Sequence, residues 1–214
     1  MTQVLKNIEY IKWLKEVLRT DLPGWNAQSR LLPNRPKPNW EWVEKQKPKV
    51  SAVLLLLYPR EEGWHIVFTK RHNYKGVHAN QISFPGGKLE RGEGFREAAL
   101  RETEEELGLN REKPELLGSL SKIYIPPSNF IVHPQVGFVD HTPKFIAEER
   151  EVKEIIEVPV SYFHSLEKAE EVELLVRGEK MKVPAFKPFG EIIWGATAMI
   201  LSEFIALHEA DKKA

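Results

Sequence analysis

Between Gly86 and Leu109 the chain reads GGKLERGEGFREAALRETEEELGL, and the residues in it able to do or to permit chemistry are Gly87, Glu93, Arg101, Glu102, Glu105, Glu106 and Gly108. From Phe95 onward the pattern is helical. At about 100° per residue, Leu100, Thr103 and Leu107 fall within a sector of roughly 60°, and Glu102, Glu105 and Glu106 within roughly 100° on the other side. The first sector is expected to face a core and the second to present three carboxylates. Arg101 precedes Glu105 by one turn and can hold it through an i,i+4 pair. Carboxylates so placed repel one another by a few tenths of a kcal/mol per pair, a penalty that a divalent cation removes. Hard oxygen donors suit Mg²⁺ or Mn²⁺, which keep part of their water shell and bridge to phosphate groups. An isolated Arg-Glu-x-x-Glu-Glu can equally be a solvated charged face. The full spacing argues against that: seven residues at roughly one chance in 16 each, over about 200 starting points, coincide by accident on the order of once in a million chains.

The elements that must position this stretch are legible on both sides of it. Val50 to Tyr58, VSAVLLLLY, has the length and continuous apolarity of a central buried strand. Trp64 to Arg71 alternates and follows the turn Arg60-Glu61-Glu62-Gly63, so the two are expected to form a hairpin. The intervening NYKGVHANQISFPGG carries Gly76, Pro85, Gly86 and Gly87, which permit turns and leave carbonyls free. After the helix, Leu116 to Ile125 and Phe130 to Val139 read as strands around Pro126-Pro127-Ser128-Asn129. Glu151 to Val158 reads as a further strand ended by Pro159, Val172 to Val176 and Met181 to Phe186 as a small hairpin, and Gly195 to Glu209 as a closing helix. Its expected inward stripe is Ala196, Met199, Ile200, Phe204 and Leu207. Upstream, Val4 to Arg19 reads as an amphipathic helix through Leu5, Ile8, Ile11, Trp13, Leu14, Val17 and Leu18. Trp25 to Lys49 shows no periodicity and reads as an arm ordered by packing, or a linker.

Composition bounds the rest. A chain of 214 residues, 42% hydrophobic, can bury one sizeable core. Lys+Arg and Asp+Glu are equal at 31 each, so no net field favours nucleic acid or an anionic membrane. The absence of cysteine excludes disulfides, thiolate chemistry and Cys-based zinc sites. The opening residues interrupt their apolar run with Lys and Glu, so neither a signal segment nor a membrane span is expected. The expectation is a soluble cytoplasmic protein whose N-terminal helix braces the domain or makes a homodimer contact.

The Gly86–Leu109 stretch resembles the box of the Nudix hydrolases: Gly, five residues, Glu, seven residues, Arg-Glu, two residues, Glu-Glu, one residue, Gly. Every polar position matches; Thr103 stands where an aliphatic residue is usual, and its methyl can still pack inward. The resemblance implies an α/β fold, a Nudix-type α/β/α sandwich with a mixed central sheet, here with an N-terminal helical extension over residues 1–48 and the hydrolase domain over 49–214. It implies hydrolysis of a nucleoside diphosphate linked to another group, with Mg²⁺ or Mn²⁺ as cofactor. Glu102, Glu105 and Glu106 would hold the metal, with the Gly86 carbonyl as a further ligand and Glu93 completing the outer shell. Arg101 would orient the carboxylates. The general base would be a box glutamate or one of Glu148, Glu149, Glu151 and Glu154.

The flanks are similar to the coenzyme A pyrophosphatase branch of that family. Val67-Phe68-Thr69, Arg71, His78, Gln81 and Phe84-Pro85-Gly86-Gly87 fit its pattern, as do Tyr124-Ile125-Pro126-Pro127-Ser128 and Ile193-Trp194-Gly195-Ala196-Thr197-Ala198. By this resemblance CoA would be split to 3′,5′-ADP and 4′-phosphopantetheine, with Arg71, Lys75, His78, Gln81 and Ser128 as substrate contacts. His72, Gly76 and Asn80 depart from the branch; an Arg is usual at position 76, and Lys75 supplies charge without its fork. Those departures keep ADP-ribose, a dinucleotide or another nucleoside diphosphate derivative as alternative substrates. A non-catalytic nucleotide-binding module is the alternative from a different class, and such modules usually lose box glutamates.

Overall fold

The computed structural model of the chain describes residues 3–32, 36–72, 81–163, 169–176 and 178–211. The apolar run of β1 (Lys49–Arg60) forms the middle of a mixed sheet. Its alternate residues serve two cores. Ala52, Leu54, Leu56 and Tyr58 join Ala98, Ala99 and Leu107 of the helix α4 (Phe95–Leu107) on one face. Leu55 and Leu57 join Ala198, Met199 and Leu201 of α5 (Gly195–Asp211) on the other. Helix, sheet and helix thus make the expected three-layer sandwich. No helix among the described residues is long and apolar enough to cross a membrane.

β1 turns into β2 (Gly63–Arg71) as the expected hairpin, but the pairing stops at Leu57↔Ile66. Beyond it the two strands diverge. β3 (Ile82–Ser83) takes the edge of β2 at Thr69 and Lys70, and β4 (Gly86–Lys88) takes the edge of β1 at Ser51, Ala52 and Val53. The fork between the strands is therefore where the glycine pair is held. β8 (Val152–Pro159) covers the other edge of β2, and Pro159 is its last paired residue, opposite His65. On the far side β1 pairs in parallel with β7 (Phe130–Phe138), so α4 lies on the crossover between two parallel strands.

One expected strand is two. β5 (Glu115–Ser119) and β6 (Ile123–Ile125) both pair with β7, separated by Leu120-Ser121-Lys122. The break has a cause: the Ser121 N–H donates to the Glu203 carboxylate on α5, at 3.3 and 3.2 Å from its two oxygens. β9 (Ala169–Val176) and β10 (Glu179–Phe186) form the small hairpin as a separate two-stranded sheet.

The N-terminal segment contains two short helices that its sequence does not announce, α2 (Trp25–Gln28) and α3 (Trp40–Lys45), besides α1 (Gln3–Val17). Leu14, Leu18 and Leu31 enter the same core as α5. Ile8, expected on the inward stripe of α1, is exposed, and Tyr10 turns inward to hydrogen-bond His208 on α5. α5 is consequently buried nearly all round, well beyond the expected stripe: Leu201, Ser202, Glu203, Ile205 and Ala206 are buried too, whereas Ala196 is only half-buried. Glu203, 0% exposed, accepts from Gln28 Nε2 at 2.8 Å and from the Gly24 N–H at 3.1 Å. Ser202 donates to the Ala27 carbonyl at 2.6 Å.

Candidate active site

α4 runs over the bounds its periodicity predicts and ends at Gly108, which takes up the left-handed conformation of a helix C-cap. Ala98, Ala99, Thr103 and Leu107 are buried, and Thr103 ties its hydroxyl back to the Ala99 carbonyl at 2.7 Å. Glu106 departs from the expected polar face. It is only 2% exposed, because β2 reaches over it. The fork described above brings Thr69 Oγ1 and the Gly86 N–H to 3.4 and 3.3 Å from Glu106 Oε2, and Arg71 Nη2 to 3.4 Å from Oε1. Burial pushes the Glu106 carboxyl up to about 7, opposed by Arg71 and the Gly86 N–H and reinforced by the charges of Glu102 and Glu151.

Arg101 organises the other acidic residues. It forks onto Glu93, Nε to Oε1 at 2.8 Å and Nη2 to Oε2 at 3.0 Å. Its Nη1 lies 3.0 Å from both Glu102 Oε1 and Glu105 Oε2, which includes the expected i,i+4 pair, and Nη2 also donates to the Lys88 carbonyl. The guanidinium holds Glu93 below the usual carboxylate range. Burial raises Glu102, against the opposing pull of Arg101. Glu102 lies against Gly87, where a Cβ would come within 2.2 Å of the carboxyl group, so only glycine leaves room for it.

Among the described residues no three carboxylates or imidazoles converge as a ready coordination shell: Arg101 bridges Glu102 and Glu105, and Arg71 faces Glu106. The chemistry of the donors nevertheless fits a hard divalent cation. Glu102 and Glu106 are little-exposed carboxylates that burial leaves harder to ionise than in water, despite the opposing pull of Arg101 and Arg71, and an added cation would reverse that.

The remaining expected site residues are distributed as follows. Gln81 accepts from the Arg71 N–H through its carbonyl at 3.1 Å, next to the fork. Ser128 lies in the β6–β7 turn with its hydroxyl buried and without a hydrogen-bond partner among the described residues. Lys75 and His78 lie outside the described residues, as do Gly76 and Asn80. Of the four later glutamates, Glu151 bears electrostatically on both Glu102 and Glu106, its charge raising each. The loop before it is fastened to the last turn of α4, with the Ile146 N–H on the Leu107 carbonyl at 2.8 Å and the Glu148 N–H on the Glu106 carbonyl at 3.0 Å. The residue that sequence reasoning left without a role is Thr69. Its signal was the Thr69-x-Arg71 spacing, which puts both side chains on one face of a strand.

The site is thus an arginine-organised carboxylate helix set against a glycine fork in a three-layer α/β sandwich. Comparison with known proteins places the chain more narrowly. Residues 47–183 match the NUDIX domain. The chain is 31% identical over 180 residues to a protein from Enterobacter sp. (strain 638) named as an uncharacterized Nudix hydrolase, NudL, covering 82% of this chain and 89% of that one. It is 30% identical over 178 residues to Nudix hydrolase 3 of Caenorhabditis elegans, covering 75% and 73%. Its fold is shared by the crystal structure of the Nudix hydrolase RenU from M. smegmatis, at a TM-score of 0.52 and 14% identity over 78% of this chain and 87% of that one. The chain belongs to the Nudix family and is a pyrophosphohydrolase acting on nucleoside diphosphate derivatives.

Proposed function

We propose that the enzyme hydrolyses the diphosphate linkage of coenzyme A or a CoA ester, releasing 3′,5′-ADP and 4′-phosphopantetheine or its acyl derivative. The observation that carries this reading is the meeting of two stretches of the CoA-branch pattern, Thr69-x-Arg71 and Phe84–Gly87, on one carboxylate, Glu106. Glu102, Glu105 and Glu106 are the residues that would hold Mg²⁺ or Mn²⁺, and by the family resemblance the Gly86 carbonyl would be a further ligand. When bound, the ion supplies positive charge against the diphosphate oxygens and a lowered pKa for the attacking water.

The chain's own residues do the rest. Arg101 fixes Glu102 and Glu105 from one side and Glu93 from the other. Hydrolysis joins the water oxygen to phosphorus, breaks the bridging P–O bond and leaves one proton to be taken up. Glu151 is the base in this proposal, since its charge bears on both Glu102 and Glu106 and the docking of Ile146 and Glu148 to α4 holds its loop at the site.

The test is steady-state turnover of CoA, an acyl-CoA, ADP-ribose, NADH and a diadenosine polyphosphate with each metal, with product identification. The expected result is the highest kcat/KM for CoA or its ester, and a loss of about 10²–10⁴-fold in kcat for Glu151→Gln. Turnover of ADP-ribose without turnover of CoA would overturn the substrate assignment. Full activity of Glu151→Gln would overturn the assignment of the base.

A further inference from the structure

Thr69 and Arg71 are two residues apart on β2 and meet the two oxygens of Glu106, Thr69 at Oε2 and Arg71 at Oε1. The Gly86 N–H completes a three-point cradle. Each contact is at the long end of the hydrogen-bond range, so each is weak alone. Together they define the plane of the carboxyl group. Thr69 is fully buried, and its hydroxyl also lies 3.5 Å from the carbonyl and hydroxyl of Ser83 on β3, which anchors it to the fork. A valine of the same shape would serve packing equally well there. The hydroxyl is explained by the carboxylate it faces. Arg71, placed by its sequence pattern among substrate contacts, has its Nη2 turned onto Glu106.

We propose that Thr69 and Arg71 are positioning residues that hold Glu106 in the orientation needed for metal binding, so that the Thr-x-Arg pair of β2 acts on catalysis through that carboxylate. The inference rests on the hydrolase reading above for the use to which Glu106 is put, and on geometry for the coupling itself.

The experiment uses the full chain with Thr69→Val, Thr69→Ser and Arg71→Gln, each alone and combined with Glu106→Gln. Three quantities are measured: Mn²⁺ affinity by titration, kcat and KM on the substrate turned over best, and thermal stability without metal. Thr69→Val and Arg71→Gln are expected to weaken Mn²⁺ binding by about tenfold or more, the usual loss when the partner of a metal-ligating group is removed. kcat should fall with little change in KM, and Thr69→Ser should restore both affinity and kcat. In the Glu106→Gln background the Thr69→Val change should have lost most of its effect on Mn²⁺ affinity and on melting temperature. Effects that add independently of Glu106→Gln, or a rise in KM with unchanged Mn²⁺ affinity, would overturn the proposal. A wild-type chain that binds no Mn²⁺ and cleaves no nucleoside diphosphate derivative would overturn the proposed function instead, and the thermal double-mutant comparison would still decide whether Thr69 and Arg71 act through Glu106.

Discussion

Glu105 and Glu106 are neighbours in sequence and opposites in environment: the Glu105 side chain is 54% exposed and pairs with Arg101, while Glu106 is 2% exposed under Thr69 and Arg71. One substitution applied to each should therefore separate function from stability. Glu105→Gln and Glu106→Gln should both lower turnover by about 10²–10³-fold, the usual loss on removing a preorganised electrostatic group. In metal-free protein above pH 8, Glu105→Gln should leave the melting temperature unchanged and Glu106→Gln should raise it, since a buried charge is removed. Activity above about a tenth of wild type at saturating metal in either variant would refute its role as a ligand.

The same carboxyl sets a pH dependence. Glu106 is raised from 4.5 to about 7 in the folded state, so between those values the folded chain binds more proton than the unfolded one. The stability it contributes is fully present below about pH 4.5 and is lost as pH rises through about 7, a change of up to about 3 kcal/mol. Glu102 shifts in the same direction; Glu93 is lowered and contributes stability lost only in more acid solution. Denaturation of metal-free protein at pH 5, 6, 7 and 8 should show the decline, and Glu106→Gln should flatten it. An unchanged slope in that variant would remove Glu106 as its source.

Gly86 and Gly87 should respond differently to the same added methyl. At Gly87 the Cβ meets the end of the Glu102 side chain, which can swing away. Gly87→Ala should fold with nearly normal stability and lose about 10²-fold in kcat, as expected when a reactive group is displaced by about 1 Å. At Gly86 the Cβ meets backbone, 2.4 Å from the Ala52 carbonyl and 2.6 Å from the Val53 Cα, at φ +152°. Gly86→Ala should cost about 2–3 kcal/mol or more in stability. Urea denaturation alongside kinetics distinguishes them, and equal loss of stability in both would contradict the geometry.

Glu203→Leu tests the fastening of the N-terminal segment. It leaves the Gly24 and Ser121 N–H groups without their acceptor and reduces the Gln28 amide to its bond with the Ser121 carbonyl, at about 1–3 kcal/mol for each donor left unsatisfied. A loss of about 3 kcal/mol or more is expected, with proteolysis beginning upstream of β1. A loss below about 1 kcal/mol would show that these donors find other partners.

The strands and helices that carry the site were legible wherever one chain segment determined its own burial. The run at Val50–Tyr58, the hairpin into β2, the bounds of α4 and the β9–β10 hairpin follow from local pattern. What escaped it depended on a distant partner. Helical periodicity puts Glu106 on a polar face because it carries no knowledge of β2 lying across it. The β5–β6 break is caused by Glu203, more than eighty residues downstream in the chain. The width of the buried surface on α5 was set by α1 and α2, and the helices within Trp25–Lys49 are too short to impose a period.

The bond between Gln28 and Glu203 also joins an early stage of synthesis to a late one. At about 5–20 residues per second, Gln28 leaves the ribosome on the order of ten seconds or more before Glu203 exists to accept from it. Over that interval β1 must also wait for β7 to complete its parallel edge, and the face it shares with α5 has no cover. The N-terminal segment is thus a reserved place in the nascent chain, and the closing helix is the event that fills it.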